Sequence, residues 1–248
     1  MMKHPPRTAW RDFPDAVLLA SERETLSHPD YATAKSGDAV AAVRLVDALA
    51  DEAEVSVFRR LLDRKEEDQP VLVSAHAYER DGYNAIPAAL ARLMSERLGF
   101  RFHANVVQTN IVGHTGAGGY NRLARQASFG GDVIPGRTYI MVDDFIGQGG
   151  TLANLRGWVE CNGGTVVHAV GLTGKPYSAI LNPTEEQLHD LRERHGPDLE
   201  KWWQDQFGHT FDCLTQSEAR YLARSPDADT IRNRLAAAMR EGDSGGRR

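Results

Sequence analysis

The stretch Val142-Asp143-Asp144-Phe145-Ile146-Gly147-Gln148-Gly149-Gly150-Thr151 decides how this chain is read. It continues Tyr139-Ile140-Met141-Val142, a β-branched and aromatic run of the kind that is buried in a parallel sheet. It leads into a segment with Leu152, Leu155 and Val159 at helical spacing. Two consecutive carboxylates, Asp143 and Asp144, therefore end a strand, and Gly147, Gln148, Gly149, Gly150 and Thr151 turn the chain into a helix. A glycine-rich turn at a helix N-terminus aims several backbone N–H groups at one spot with the helix dipole behind them, a cup suited to phosphate. Carboxylates beside such a cup suit a sugar: they accept hydrogen bonds from ribose hydroxyls and can hold Mg²⁺ through water.

The flanking sequence supplies the rest of a sheet. Val71–Ala75 (VLVSA) reads as a short buried strand, followed by a helix with Ile86, Leu90, Leu93 and Leu98 inward and Gly99 as its stop. Residues 101–107 alternate, with Phe102, Ala104 and Val106 on one side, and predict a second strand. Residues 108–136 are rich in Gly and polar side chains and predict a long functional loop. Thr165–Leu172 (TVVHAVGL) is another strand. The alternation predicts an α/β domain with a mostly parallel, twisted sheet flanked by helices.

Four regions follow: a helical N-terminal arm (1–67), the α/β core (68–175), a C-terminal helical cap (176–240) and a disordered tail (241–248). In the arm, Asp38 is an N-cap for a helix with Ala39, Val43, Val46 and Ala50 on one face. A charged run from Asp63 to Asp68, closed by Pro70, separates arm from core. In the cap, Thr184–Gln187 and Thr215–Glu218 have capping-box form.

Composition narrows the function. With 248 residues, 41% apolar and 25% charged, the chain can bury a core without staples. The 29 basic against 34 acidic residues leave a net charge of −5, which gives no strong signal for nucleic acid. Cys161 and Cys213, the only cysteines, have no metal-ligand spacing and read as inert in a reducing cytoplasm. Neither a signal-type apolar segment nor a run long enough to cross a bilayer occurs, so a cytoplasmic protein without a membrane partner is expected. Other phosphate motifs fail on their letters: there is no Walker A string, and Gly116–Gly119 (GAGG) has Asn121 where a dinucleotide fingerprint needs its third glycine.

A hydrophobic strand, two acids, two hydrophobics, a small turn and Gly-Gly-Thr resembles the phosphoribosyl pyrophosphate (PRPP) signature of type I phosphoribosyltransferases. The resemblance runs over about Val71–Lys175 with its parts in the family's order, and Arg122, Arg125 and Phe129 in the long loop resemble the ComF-like branch. It implies that fold, with Asp143 and Asp144 on the ribose 2′- and 3′-hydroxyls and Gly147, Gln148, Gly149, Gly150 and Thr151 on the 5′-phosphate. Ala75, His76 and Ala77 would form the pyrophosphate loop, in which the family often has a non-proline cis peptide; His76 enters through its backbone. Arg122 or Arg125 would close over the leaving pyrophosphate, and Mg²⁺, held by Asp143 and Asp144 directly or through water, would be the cofactor. Lys175 lies where purine-using relatives place a lysine on the base. Against hypoxanthine or guanine salvage, Gly147 stands where those enzymes have an acid, and Gln148 replaces the usual Thr. Trp202 and Trp203 read as packing in the cap.

The resemblance implies a phosphoribosyltransferase that exchanges pyrophosphate and a nucleobase or other acceptor at C1 of PRPP, and family habit implies a homodimer. Two alternatives stand beside it: a PRPP- or nucleotide-sensing regulator without turnover, and a nucleotide-degrading effector of a toxin–antitoxin or defence pair that runs the reaction backwards. In the last case the terminal arms would dock a protein partner.

Overall fold

The computed structural model describes residues 4–50, 52–58, 69–76, 78–79, 82–110, 112 and 118–245. In chain order its elements begin with β1 (Val17–Leu18), α1 (Glu22–Ser27), α2 (Tyr31–Lys35), α3 (Ala39–Leu49) and α4 (Glu52–Ser56). Then come β2 (Val71–Ser74), a hairpin of β3 (Tyr78–Glu79) and β4 (Gly82–Tyr83), and α5 (Ile86–Leu98). The middle holds β5 (Val107–Gln108), α6 (Gly119–Ala124), β6 (Phe129–Gly130), β7 (Thr138–Ile146), α7 (Gly150–Cys161) and β8 (Thr165–Gly174). The cap is α8 (Glu185–His195), α9 (Pro197–Phe207), α10 (Gln216–Ala223) and α11 (Ala228–Gly245).

The main sheet has the order β1-β8-β7-β2 with every pair parallel, as expected of an α/β fold. Its centre, β7, pairs Val71↔Tyr139 through Ser74↔Val142 on one side and Asp143↔Gly171 and Ile146↔Gly174 on the other. Apolar side chains alternate between its faces. Ile140 and Val142 join a core with Leu45, Ile86, Leu90 and Met94 from α3 and α5. Tyr139 and Met141 join a second core with Leu152, Leu155 and Val159 from α7. Burying each such side chain contributes about 1.5–3 kcal/mol, which fixes the helices on the two faces. A third cluster, around Trp203, Phe207, Phe211 and Leu235, packs the cap, and Trp202 lies partly buried against it.

The helix signals hold where they are chemical. Asp38 caps α3 through Val40 and Ala41 N–H, Gly99 ends α5 at φ 74°, and both capping boxes form. Four readings are corrected. The inward face of α3 is Ala41, Ala42, Leu45 and Val46, with Ala39 and Val43 turned out, because packing on α5 selects one stripe of an almost wholly apolar helix. The stretch 101–107 is not a strand: Phe102 makes one isolated parallel bridge to Leu72, and pairing resumes only in β5 with β6. The loop 108–136 is not structureless, since it holds α6 and β6, and Tyr120 of α6 bonds Ser225 of the cap. The tail is helical through Gly245.

The segment expected as a helical arm also supplies β1, the sheet's edge strand. The charged run 63–68, Ala77, Arg80 and Gly116 lie outside the described residues. No helix among the described residues is long and apolar enough to cross a membrane.

Candidate functional site at the end of the central strand

Strand β7 does not stop at Val142 but stays on its ladder to Ile146, so Asp143 and Asp144 are held inside paired backbone. Both carboxylates are buried. Asp143 Oδ1 accepts the Asp144 N–H at 2.9 Å, and the two side chains are close enough to share a hydrogen bond. Lys35 Nζ, from the last turn of α2, donates to Asp144 Oδ2 at 2.7 Å. The Asn84 side chain also bonds Asp144 while its Oδ1 accepts the first-turn N–H of Ile86 at 3.2 Å.

The pair is electrostatically divided. Burial first, and then the Asp144 charge, push the Asp143 carboxyl well above the usual carboxylate range. Burial works in the same direction on Asp144, but the Lys35 charge and the bonds from Lys35, Asn84 and Asp143 outweigh it and hold that carboxyl low. The two carboxyls are thus pushed in opposite directions, and the Lys35 ammonium offsets the Asp144 charge.

This donor set does not fit a resident Mg²⁺. That ion takes about six oxygen ligands, usually including deprotonated carboxylates and water. Here the Lys35 ammonium already sits 2.7 Å from Asp144 Oδ2, on the oxygen a cation would take. Among the described residues no group of three His, Cys, Asp or Glu could hold a metal. This arrangement does not favour the direct binding of Mg²⁺ that the sequence predicts at Asp143 and Asp144.

Beyond β7 the glycines are closely approached, and Gly149 is required by its left-handed backbone. Gly149 has φ 80°, and a Cβ there would lie 2.9 Å from Leu181 Cδ2 and 3.1 Å from Thr215 Cγ2. On Gly150 it would lie 2.7 Å from Glu218 Oε1, and on Gly147 2.8 Å from an Arg122 guanidinium nitrogen. The first-turn amides of Gly150, Thr151 and Leu152 have no intrahelical acceptor. Thr215 Oγ1 donates to the Gln148 carbonyl, so the cap fixes the turn from behind. Gln148 Oε1 is buried without a hydrogen-bond partner among the described residues.

The other expected residues divide. Ala75 and His76 are buried directly after β2; Ala75 N–H bonds Val142 O at 2.8 Å, tying this loop to β7. The His76 ring meets Ser74 Oγ at 2.7 Å through Nδ1 and packs edge-on against Tyr83. Burial lowers its pKa against the opposing Ser74 hydrogen bond. No peptide bond among the described residues is cis. Arg122 reaches the turn, whereas Arg125 closes α6 and has its Nε buried without a partner among the described residues. Lys175 is half exposed and lies 3.6 Å from Glu22. Sequence reading missed Lys35, Asn84 and a buried network in which Arg7 joins Glu218 and Asn154 behind the turn.

The buried acidic pair, the glycine turn with an Arg122 guanidinium nitrogen beside Gly147, and the uncapped first turn of α7 thus follow one another at one strand end. No family model matches the chain. It is 40% identical over 235 residues to protein TraN of Escherichia coli, an alignment that covers 95% of this chain and 52% of TraN. It is 34% identical over 158 residues to an uncharacterized protein of Haemophilus influenzae, covering 63% of this chain and 35% of that protein. Among solved structures, UMP synthase of Leishmania donovani aligns with a TM-score of 0.29 and 14% identity over 79% of this chain and 35% of its own. The chain thus spans about half the length of TraN and about a third of the Haemophilus protein.

Proposed function

We propose that the chain is a phosphoribosyltransferase that exchanges pyrophosphate and a nucleobase, or a related acceptor, at C1 of PRPP. The observation that supports this reading most is the order of parts at one strand end: Asp143 and Asp144, then Gly147 to Gly150, then the open first turn of α7. The 5′-phosphate sits on the amides of Gly149 to Thr151 with the helix dipole behind it. Asp144, ionised and held by Lys35 and Asn84, accepts from a ribose hydroxyl. Asp143, whose carboxyl burial pushes above the usual range, accepts from the neighbouring hydroxyl.

Displacement breaks the bond between C1 and the pyrophosphate oxygen and forms one from C1 to the acceptor. The Arg122 guanidinium over Gly147 supplies charge for the leaving group. In this reading water is kept from the centre by α6, which is anchored on the cap through Tyr120 and Ser225. Gly147 leaves the site without the acid that would take a proton from a purine, and this favours, as a second reading, a PRPP sensor without turnover.

Incubating the full chain with PRPP and a mixture of nucleobases, with and without Mg²⁺, and weighing the products separates these readings. A new nucleotide mass with stoichiometric pyrophosphate is the expected result and names the acceptor. Unchanged PRPP that still binds supports the sensor, and unchanged PRPP that does not bind removes both.

A further inference from the structure

We propose that Lys35 takes the place of a divalent cation at the acidic pair, so that a phosphorylated ribose binds there without metal. The inference rests on the reading of β7–α7 as a sugar-phosphate site and adds its counter-ion requirement.

Lys35 is placed by backbone. Its helix ends against the segment before α5: Ala34 O accepts the N–H of Ala85 at 3.3 Å and that of Gly37 at 3.2 Å. Gly37, at φ 115°, passes so close to Tyr83 that a Cβ would lie 2.9 Å from its carbonyl oxygen, and only glycine accommodates both demands. The α2 end and the Tyr83–Ala85 segment are therefore clamped together, and they carry the two side chains, Lys35 and Asn84, that bond Asp144. The Asp144 side chain is 8% exposed and that of Lys35 24%, so the 2.7 Å pair is shielded from much of the solvent that weakens surface ion pairs.

An ammonium in that position supplies what a cation supplies to a diol site. It keeps the carboxylate charged, orients it and leaves its remaining lone pairs for sugar hydroxyls. It also competes directly with a metal for the same oxygen, and no third acidic or imidazole ligand among the described residues compensates.

The test is calorimetric titration of the full chain with ribose 5-phosphate, a weak chelator, in EDTA and in excess Mg²⁺. Wild-type affinity should agree between the two buffers to within about twofold. Lys35→Met should bind about tenfold more weakly in EDTA, and Mg²⁺ should restore it, because the uncovered carboxylate is then free to take the ion. Lys35→Arg, which keeps the charge, should stay near wild type without metal. Wild-type binding that requires Mg²⁺, or Lys35→Met binding in EDTA as tightly as wild type, overturns the role given to Lys35 and leaves the site reading intact. Failure of Mg²⁺ to restore Lys35→Met marks the lysine as merely structural and also overturns it. Absence of binding by the wild type in both buffers overturns the sugar-phosphate reading itself.

Discussion

Arg7 and Glu218 stand 211 positions apart in the chain and form a buried two-pronged ion pair, 2.7 and 3.1 Å, directly behind the Gly150 turn. Their side chains are 1% and 2% exposed. Arg7 Nε also donates to Asn154 Oδ1 in α7, and Glu218 accepts the Thr215 N–H at 2.9 Å. One network thus ties the N-terminal segment, the helix of the turn and the cap. Removing one partner strands a buried charge, so Glu218→Ala or Arg7→Met should lower unfolding stability by about 3–5 kcal/mol. The double variant Arg7→Met/Glu218→Leu should cost less than either single loss. Urea denaturation of the three variants checks the order.

Gly149→Ala should destabilise by about 1–2 kcal/mol from the left-handed backbone alone, with contact against Leu181 and Thr215 added. Because it moves the turn rather than removing a charge, it should abolish sugar-phosphate binding even where the protein remains folded. Circular dichroism together with a ribose 5-phosphate titration separates the two effects.

Asn substitutions at the acidic pair should differ in stability and agree in activity. Burial and the Asp144 charge already oppose ionisation of Asp143, so Asp143→Asn should fold almost as well as wild type. Asp144→Asn leaves the Lys35 ammonium without its carboxylate and should cost about 1–2 kcal/mol. Both should abolish product formation in the PRPP assay, since each removes an oxygen that can accept from the sugar.

His209 makes the cap sensitive to acid. Burial, then the nearby Arg7 charge and His4, lower its pKa to about 3, against a hydrogen bond to Thr210 O. An unfolded histidine titrates near 6.5, so below that pH the unfolded chain binds the extra proton and folded stability falls. The contribution is complete above about pH 6.5 and declines by about 1.4 kcal/mol per unit as pH drops towards 3. His209→Gln should flatten this slope in denaturation curves taken between those limits.

The parts legible in the sequence are those decided by neighbours in the chain. The strand–acid–glycine–helix junction, the capping residues Asp38, Thr184 and Thr215, and the Gly99 stop all act within a few positions. The parts that were not legible depend on distant partners. Nothing near Lys35 indicates an acid 109 positions away. Helix α6 is too short to stand on propensity and exists because Tyr120 and Leu123 pack on the cap. Residues 101–107 alternate as a strand should, yet Leu72 alone pairs with 101–103, through Arg101 O and His103 N–H, and a ladder forms only at Val107 with Gly130. In α3, Val40 and Val43 are as apolar as the buried positions, so periodicity alone could not choose the face.

The most direct test of the central claim, that the turn from β7 into α7 holds the phosphate of a phosphorylated ribose, is a backbone-amide NMR titration with ribose 5-phosphate. Saturable downfield shifts of the Gly149, Gly150 and Thr151 amides are the expected result, lost in Gly149→Ala. Saturable binding that leaves those three resonances in place and moves others would contradict it.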